Sequence, residues 1–248
     1  MEKEWRNQLA DSSMHIVPGV DSGAATMEEA LEEVEAAIAQ GVNTILVTPH
    51  SAAFDTDAEK VQIGFGLLQK EVAAKGLKVF LYPGSEVLCG PETVGTCVRR
   101  LKSGRYPTLA GSNHVLIEFD QETYSFDEAM YCIDEIREAG YTPIIAHVER
   151  YGFLDASDVR DLKDKGAKIQ ILAYSVVNEP NATVSRLANE LLAKKLVDFV
   201  GTDAHRMDFY PPNIWEGARA IEELCGDTYA RKILVENTRQ LILEKSSQ

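Results

Sequence analysis

The sequence predicts an α/β fold built on a parallel sheet, and three observations carry that expectation. Short apolar, β-branched runs alternate with amphipathic stretches, as in parallel strands covered on both faces. Glycines follow the helical stretches, as at Gly41, Gly140 and Gly166, where a chain leaving a helix needs them. No linker parts the pattern, so one domain over residues 1–248 is expected. Length and periodicity alone leave an open doubly wound sheet and a closed barrel as alternatives.

The elements follow in order. A weakly extended stretch around Asp11–His15 comes first; the preceding EWRNQLA is a poor strand, being polar and rich in turn and helix formers, so a frayed or remodelled first strand is expected. Thr26–Gln40 reads as a helix, with Thr26 as N-cap, Glu29 three residues on as its capping-box partner, and Gly41 as the stop. Strand Asn43–Thr48, helix Ala58–Lys75, strand Leu77–Pro83 and helix Glu92–Ser103 come next. Then follow strand His114–Phe119, helix Ser125–Ala139, strand Thr142–His147 and helix Ala156–Lys165. Strand Lys168–Ala173, helix Val184–Lys194, strand Val197–Thr202 and helix Ile214–Leu234, broken near Gly226, complete the series.

Charge narrows the functions. With 25 Lys plus Arg against 39 Asp plus Glu, the formal net charge is −14, which speaks against nucleic acid and against an anionic membrane surface. A phosphorylated substrate stays open, because bound metal ions can invert a local field. Cys89, Cys97, Cys132 and Cys225 form no CxxC pair and read as free or buried thiols of a reducing compartment. The first residues carry no apolar run of a signal peptide, and no stretch nears the ~20 apolar residues of a membrane span. A cytoplasmic protein is expected. Association between copies of the chain is left open.

The chemistry gathers at strand ends. His50 follows one strand, Glu86 the next, Glu118 and His147 end two more, and Asp203 and His205 follow the last. His15 follows the first extended stretch. The carboxyl ends of parallel strands form the active face of such folds, so these side chains converge if the strands close. A single histidine is more often structural than a ligand; a series at successive strand ends favours ligation. His114 stands at a strand start and reads as structural or surface. Mixed imidazole and carboxylate donors suit manganese, iron or zinc, and so many donors point to two or three ions with bridging carboxylates. Arg150, three residues after His147, can fork onto a phosphate or pair with Glu149, and Arg206 is a weaker candidate of the same kind. No Walker loop, Rossmann fingerprint or CX5R phosphatase signature occurs.

The ordered set HIVPGVDSGAATMEEAL, TPHS, GSEV, LIEF, IIAHVERY and GTDAH followed by PPN resembles the PHP superfamily, and within it the CpsB/CapC-type capsular-polysaccharide protein-tyrosine phosphatases. The resemblance runs from about Asp11 to beyond Asn213 and leaves residues 1–10 outside it. It implies a distorted seven-stranded β/α barrel with a trinuclear, often manganese-using site. It also implies metal-assisted hydrolysis of phosphotyrosine on the tail of a kinase that governs polysaccharide export. Carried across, it makes metal ligands of His15, His50, Glu86, Glu118, His147, Asp203 and His205, with catalytic roles for Asp203, His205 and Arg150. Arg150 would bind the substrate phosphate, with Arg206 beside it.

Three departures mark the chain. The family opens on Asp-x-His-x-His, and here Ser13 of Asp11-Ser12-Ser13-Met14-His15 stands where the first histidine belongs. Ser22 replaces a second aspartate after Asp21, and Tyr210-Pro211-Pro212 replaces an Arg-Pro-Pro. A serine hydroxyl is a poor donor beside imidazole, so one ion is expected to bind weakly or be absent. An active phosphatase on two ions is the first reading. A catalytically impaired binding or regulatory relative is the second, and a small-ester enzyme such as a histidinol phosphatase is a further alternative.

Overall fold

The computed structural model describes residues 4–119, 125–177 and 182–244. Its strands are β1 (Leu9–Met14), β2 (Val42–Val47), β3 (Phe80–Pro83), β4 (Glu86–Leu88), β5 (His114–Glu118), β6 (Thr142–Ile145), β7 (Lys168–Leu172) and β8 (Phe199–Gly201). The helices are α1 (Met27–Ala39), α2 (Ser51–Ala74), α3 (Val94–Lys102), α4 (Phe126–Glu138), α5 (Ala156–Asp164), α6 (Ala173–Val177), α7 (Ala182–Ala193), α8 (Trp215–Cys225), α9 (Asp227–Arg231) and α10 (Asn237–Glu244). The fold is mixed α/β, with every strand pairing parallel, in one sheet of order β1-β2-β3 and another of order β4-β5-β6-β7-β8. The sheets meet at both margins: His50 bridges Glu86, and Met14 bridges Ala204.

The expectation of a frayed first strand is corrected. β1 forms, and all six of its residues are buried. Its polar side chains survive burial because each is bonded. Asp11 accepts from the Thr202 amide at 2.9 Å and the Thr202 hydroxyl at 2.6 Å, Ser12 Oγ accepts from Gln170 at 2.8 Å, and Ser13 Oγ pairs with Thr48 Oγ1 at 2.8 Å. The register against β2 slips between Asp11 and Met14, around this serine pair. Residues Glu4–Gln8, the poor strand formers, make a 3-10 turn instead, anchored by Trp5 Nε1 on Asp227 at 2.8 Å and by Arg6 on Glu222.

Other boundaries shift for identifiable reasons. α2 begins at Ser51, seven residues before the expected Ala58, but Asp57 leaves the helical region (φ −156°, ψ 85°) and its carboxylate accepts from the Lys60 amide at 3.0 Å. The helical pattern in the sequence therefore restarts after an internal cap. Leu77–Val79 stay outside β3; the short β4 and the helices α6 and α10 were not expected. For α1, Thr26 Oγ1 accepts from the Glu29 amide at 3.2 Å as foreseen, whereas the Glu29 carboxylate reaches the Ala25 amide, one residue before the cap. Gly41 stops that helix at φ +91°.

Candidate metal centre

The carboxyl ends of the strands present one set of side chains. His15 follows β1, His50 stands at the N-cap of α2, Glu86 opens β4, Glu118 ends β5, His147 follows β6, and Asp203 and His205 follow β8. Glu86 is the centre of the group, buried to 1 % exposure. Its Oε2 lies 3.2 Å from His15 Nε2 and 3.2 Å from His50 Nδ1, and its Oε1 lies 3.2 Å from His147 Nε2. Asp203 Oδ1 lies 3.4 Å from His15 Nε2, Glu118 stands 3.7 Å from His50 and 3.8 Å from His147, and the Nε2 atoms of His205 and His50 face each other at 3.3 Å. All the ligand residues expected from the sequence are thus brought together; His114 sits at the other end of β5.

The backbone is bent to make this arrangement. His147 (φ 32°, ψ 50°) and Asp203 (φ 57°) both adopt the left-handed region, which side chains other than glycine and asparagine seldom occupy. Such conformations cost about 1–3 kcal/mol and persist where the surroundings hold them. Here the holders are visible. The Asp203 amide donates to Ser13 O at 2.9 Å, and the His147 amide donates to Gln170 Oε1 at 3.2 Å. Gly23 packs so closely that a Cβ there would stand 1.8 Å from the His15 carbonyl.

Three positioning residues escaped the sequence reading. Asp21 Oδ2 accepts from the His50 amide and meets His15 Nδ1, each at 3.0 Å, so one carboxylate orients two rim histidines. Gln170 ties β1 to His147; a lone polar residue inside the apolar run of β7 was its signal. Tyr210 takes the Arg150 Nη2 donor at 2.8 Å, while Arg150 Nη1 donates to Asp203 at 3.1 Å. Arg206 behaves differently from its expected place beside the phosphate. It forks onto Asp208 in solvent, at 2.9 and 2.6 Å, and does not line the cavity of about 370 Å³ that His50, Glu118, Arg150, Asp203 and Tyr210 enclose.

Electrostatics agree with the geometry. Burial disfavours charge throughout, yet the His15 imidazole is held well above its ordinary value by Asp203, Asp21 and Glu86. Against the same burial, His147, His15 and His50 hold Glu86 well below the carboxylate range, and His15 holds Asp203 down. Burial and the neighbouring Glu86 raise Glu118. Burial and the neighbouring His15 lower His205.

The residues fit divalent cations. His15 Nε2, both Glu86 oxygens and Asp203 Oδ1 are buried and make no hydrogen bond despite their proximity, and His147 Nδ1, the ring nitrogen that does not face Glu86, is unbonded as well. Native interiors seldom leave such atoms unsatisfied unless something binds them. Three overlapping donor groups have ligand atoms within 4.8 Å of one another: His15, Glu86 and Asp203; His50, Glu86 and Glu118; His15, His50 and His205. Glu86, His15 and His50 each belong to two of these groups, and of the three only Glu86 would bring two anionic oxygens. The departures also have places: Ser13 spends its hydroxyl on Thr48, and Ser22 and Tyr210 line the cavity.

Comparison with known proteins converges on one family. Residues 9–243 match the family described as capsular polysaccharide synthesis, CpsB/CapC. The tyrosine-protein phosphatase CpsB of Streptococcus pneumoniae is 32% identical over 248 residues, covering 96% of this chain and 99% of its own. CpsB of Streptococcus agalactiae serotype V is 28% identical over 245 residues, covering 94% and 98%. A crystal structure from work on YwqE of Bacillus subtilis and CpsB of S. pneumoniae, described as unique metal-dependent tyrosine phosphatases, superposes with a TM-score of 0.82 at 25% identity, covering 95% of each chain. With the match spanning nearly every element described above, the chain belongs to the CpsB/CapC family of capsular polysaccharide synthesis.

Proposed function

We propose that this chain is a metal-dependent phosphatase that hydrolyses phosphotyrosine in a protein substrate, in the control of capsular or exopolysaccharide synthesis. The observation that carries the reading is the buried, hydrogen-bond-starved donor set around Glu86, with a paired arginine at its edge. His15, His50, Glu86, Glu118, His147, Asp203 and His205 would hold two divalent ions, manganese being the first expectation. Bound there, such ions activate water and offset charge developing on a phosphoryl group. Arg150 is aimed by Asp203 and Tyr210, so its guanidinium can present a fork to phosphoryl oxygens. Asp203, held ionised, would serve as ligand as well as anchor of that arginine. His205, whose Nδ1 bonds to the Asp203 carbonyl at 2.7 Å, keeps its Nε2 directed at the rim.

The same reading treats the scaffold as one barrel-like domain over residues 1–248. On it, β3 and β4 would count as one strand interrupted at Gly84-Ser85, a seven-strand count that the Met14–Ala204 and His50–Glu86 bridges between the two sheets support. Residues 1–10 were expected to stand outside the family's domain, but the family match begins at residue 9, so only residues 1–8 would be an addition to it, and residues 1–3 lie outside those described. Among the described residues no helix is long and apolar enough to cross a membrane. The four described cysteines are unbridged, which supports the cytoplasmic expectation. The substrate we favour is the tyrosine-phosphorylated tail of a bacterial kinase.

One observation favours a second reading. Ser13 is buried and bonded to Thr48, so the rim has one donor fewer than the family pattern. That is also what a regulatory relative without turnover would display. Metal content and manganese-dependent hydrolysis of a tyrosine-phosphorylated peptide, in the natural chain and in Ser13→His, decide between them. Bound metal with turnover, raised by the histidine, supports the phosphatase. Negligible metal and no turnover, restored only by Ser13→His, supports the regulatory relative.

A further inference from the structure

A second cavity, of about 480 Å³, adjoins the metal rim. It lies between the first turns of α2 and the helix α3, and it shares His50 and Glu118 with the metal cavity. The two hollows therefore adjoin, with His50 and Glu118 as their common wall. Its walls are mainly apolar: Leu88, Val20, Ala52, Cys97 and the ring of Tyr106. Leu88, at the end of β4, is 53% exposed and turns its side chain into this wall. The wall is also stiff. Tyr106 donates to Asp55 at 2.7 Å and packs on Phe54 with ring centroids 6.3 Å apart. Asp55 is in turn neutralised by Arg100 at 2.5 Å, and the Leu88 amide donates to Ser51 Oγ at 3.2 Å.

We infer that this cleft is the aryl subsite: it takes the phenol ring of the substrate while the phosphoryl group sits on the rim, and it selects aryl over alkyl phosphate esters. The inference rests on the phosphatase reading and goes beyond it by naming where the ring lies. A ring joined to phosphorus through one ester oxygen must lie in a hollow next to the rim, and this one shares His50 and Glu118 with it. Its size suits a ring with a short stem, since small-ligand clefts fall at about 300–1,000 Å³. Aliphatic and aromatic walls meet an aryl face well and give an alkyl stem less contact. The rival wall, Phe209 of the metal cavity itself, is 76% exposed.

The test uses phenylphosphonate and methylphosphonate, which bind without being turned over, on the full chain at equal manganese loading. Calorimetry should give phenylphosphonate the higher affinity by about tenfold, the scale of one apolar contact set. Ala52→Trp, on an exposed position of the cleft wall, should bring the ratio close to one. Leu88→Ser should lower it in the same direction and stands in if the tryptophan variant does not fold. A ratio unchanged in both variants, a ratio lost instead in Phe209→Ala, or no binding of either phosphonate would overturn the inference. Hydrolysis of a phosphotyrosine peptide is measured alongside. If it is absent while the cleft-dependent ratio is present, the subsite stands and the phosphatase reading is the part that fails.

Discussion

At the amino-terminal end of the strands His114 Nδ1 meets Ser112 Oγ at 3.3 Å and Glu244 at 3.5 Å, and Asp198 bonds Lys163 and the Ile169 amide. At the carboxyl-terminal end His15, Glu86, His147 and Asp203 crowd together with buried atoms that bond nothing. The residue types are alike at the two ends. What differs is satisfaction: the base is a closed ledger of local pairs, and the rim carries more donors than it has partners for. Histidines and carboxylates alone do not mark a metal centre. A surplus of buried, mutually facing lone pairs does, because folding alone gives no return for it.

The sharpest way to break this contrast is at its centre. Glu86→Gln removes one anionic oxygen from two donor groups at once and leaves His15, His50 and His147 without their common partner. Metal affinity should fall more than about a hundredfold, as for lost ligands and their supports, measured by metal analysis after dialysis. Retained metal in that variant would show that the rim is a structural ion-pair network like the base. Next in size is Arg150→Lys, which keeps the charge and loses the fork between Asp203 and Tyr210. We expect kcat/KM on a phosphotyrosine peptide to drop about tenfold or more with metal content unaltered.

The rim was legible in the sequence because strand ends are, and the ligand types fall there one after another. Glu86 was placed without its short strand being foreseen, since β4 is only three residues long and too brief for any periodicity. Arg206 was not legible. The chain turns back through an Arg206–Tyr210 bridge, which directs Arg206 to Asp208 and brings Tyr210 to Arg150. Nothing in residue type separates those two outcomes; the turn geometry does. The strength of β1 was missed for a related reason. Propensity penalises Asp11-Ser12-Ser13 as a strand, whereas long-range partners at Thr202, Gln170 and Thr48 satisfy every one of those side chains.

A smaller effect sharpens the contrast away from the rim. Glu33 on α1 is fully buried with both oxygens unbonded, and burial pushes its carboxyl up to about 8. With the folded value above the ordinary 4.5, the native chain retains a proton that the unfolded chain has released, so stability declines as pH rises from about 4.5 to about 8. Glu33→Gln removes that proton linkage. The variant should match the natural chain near pH 4.5 and gain about 1–2 kcal/mol by pH 8, read from urea midpoints. A gain that is flat with pH would mean that Glu33 is bonded in solution and does not belong with the unsatisfied atoms.

The base should respond least, and in the opposite pH range. Burial lowers the His114 imidazole below its usual 6.5, against the pull of Glu244, so the unfolded chain takes up a proton that the native chain resists. Stability is then lost as pH falls through about 6.5, the reverse of Glu33. His114→Gln keeps a side-chain polar group near Ser112 and removes the titration. It should change stability by less than about 1 kcal/mol at pH 8 and relieve part of the acid-side loss, with no change in bound metal. Loss of metal in this variant would erase the distinction between the two ends, because it would make a histidine at the far end of β5, held by Ser112 and Glu244, matter to the rim as much as the histidines around Glu86.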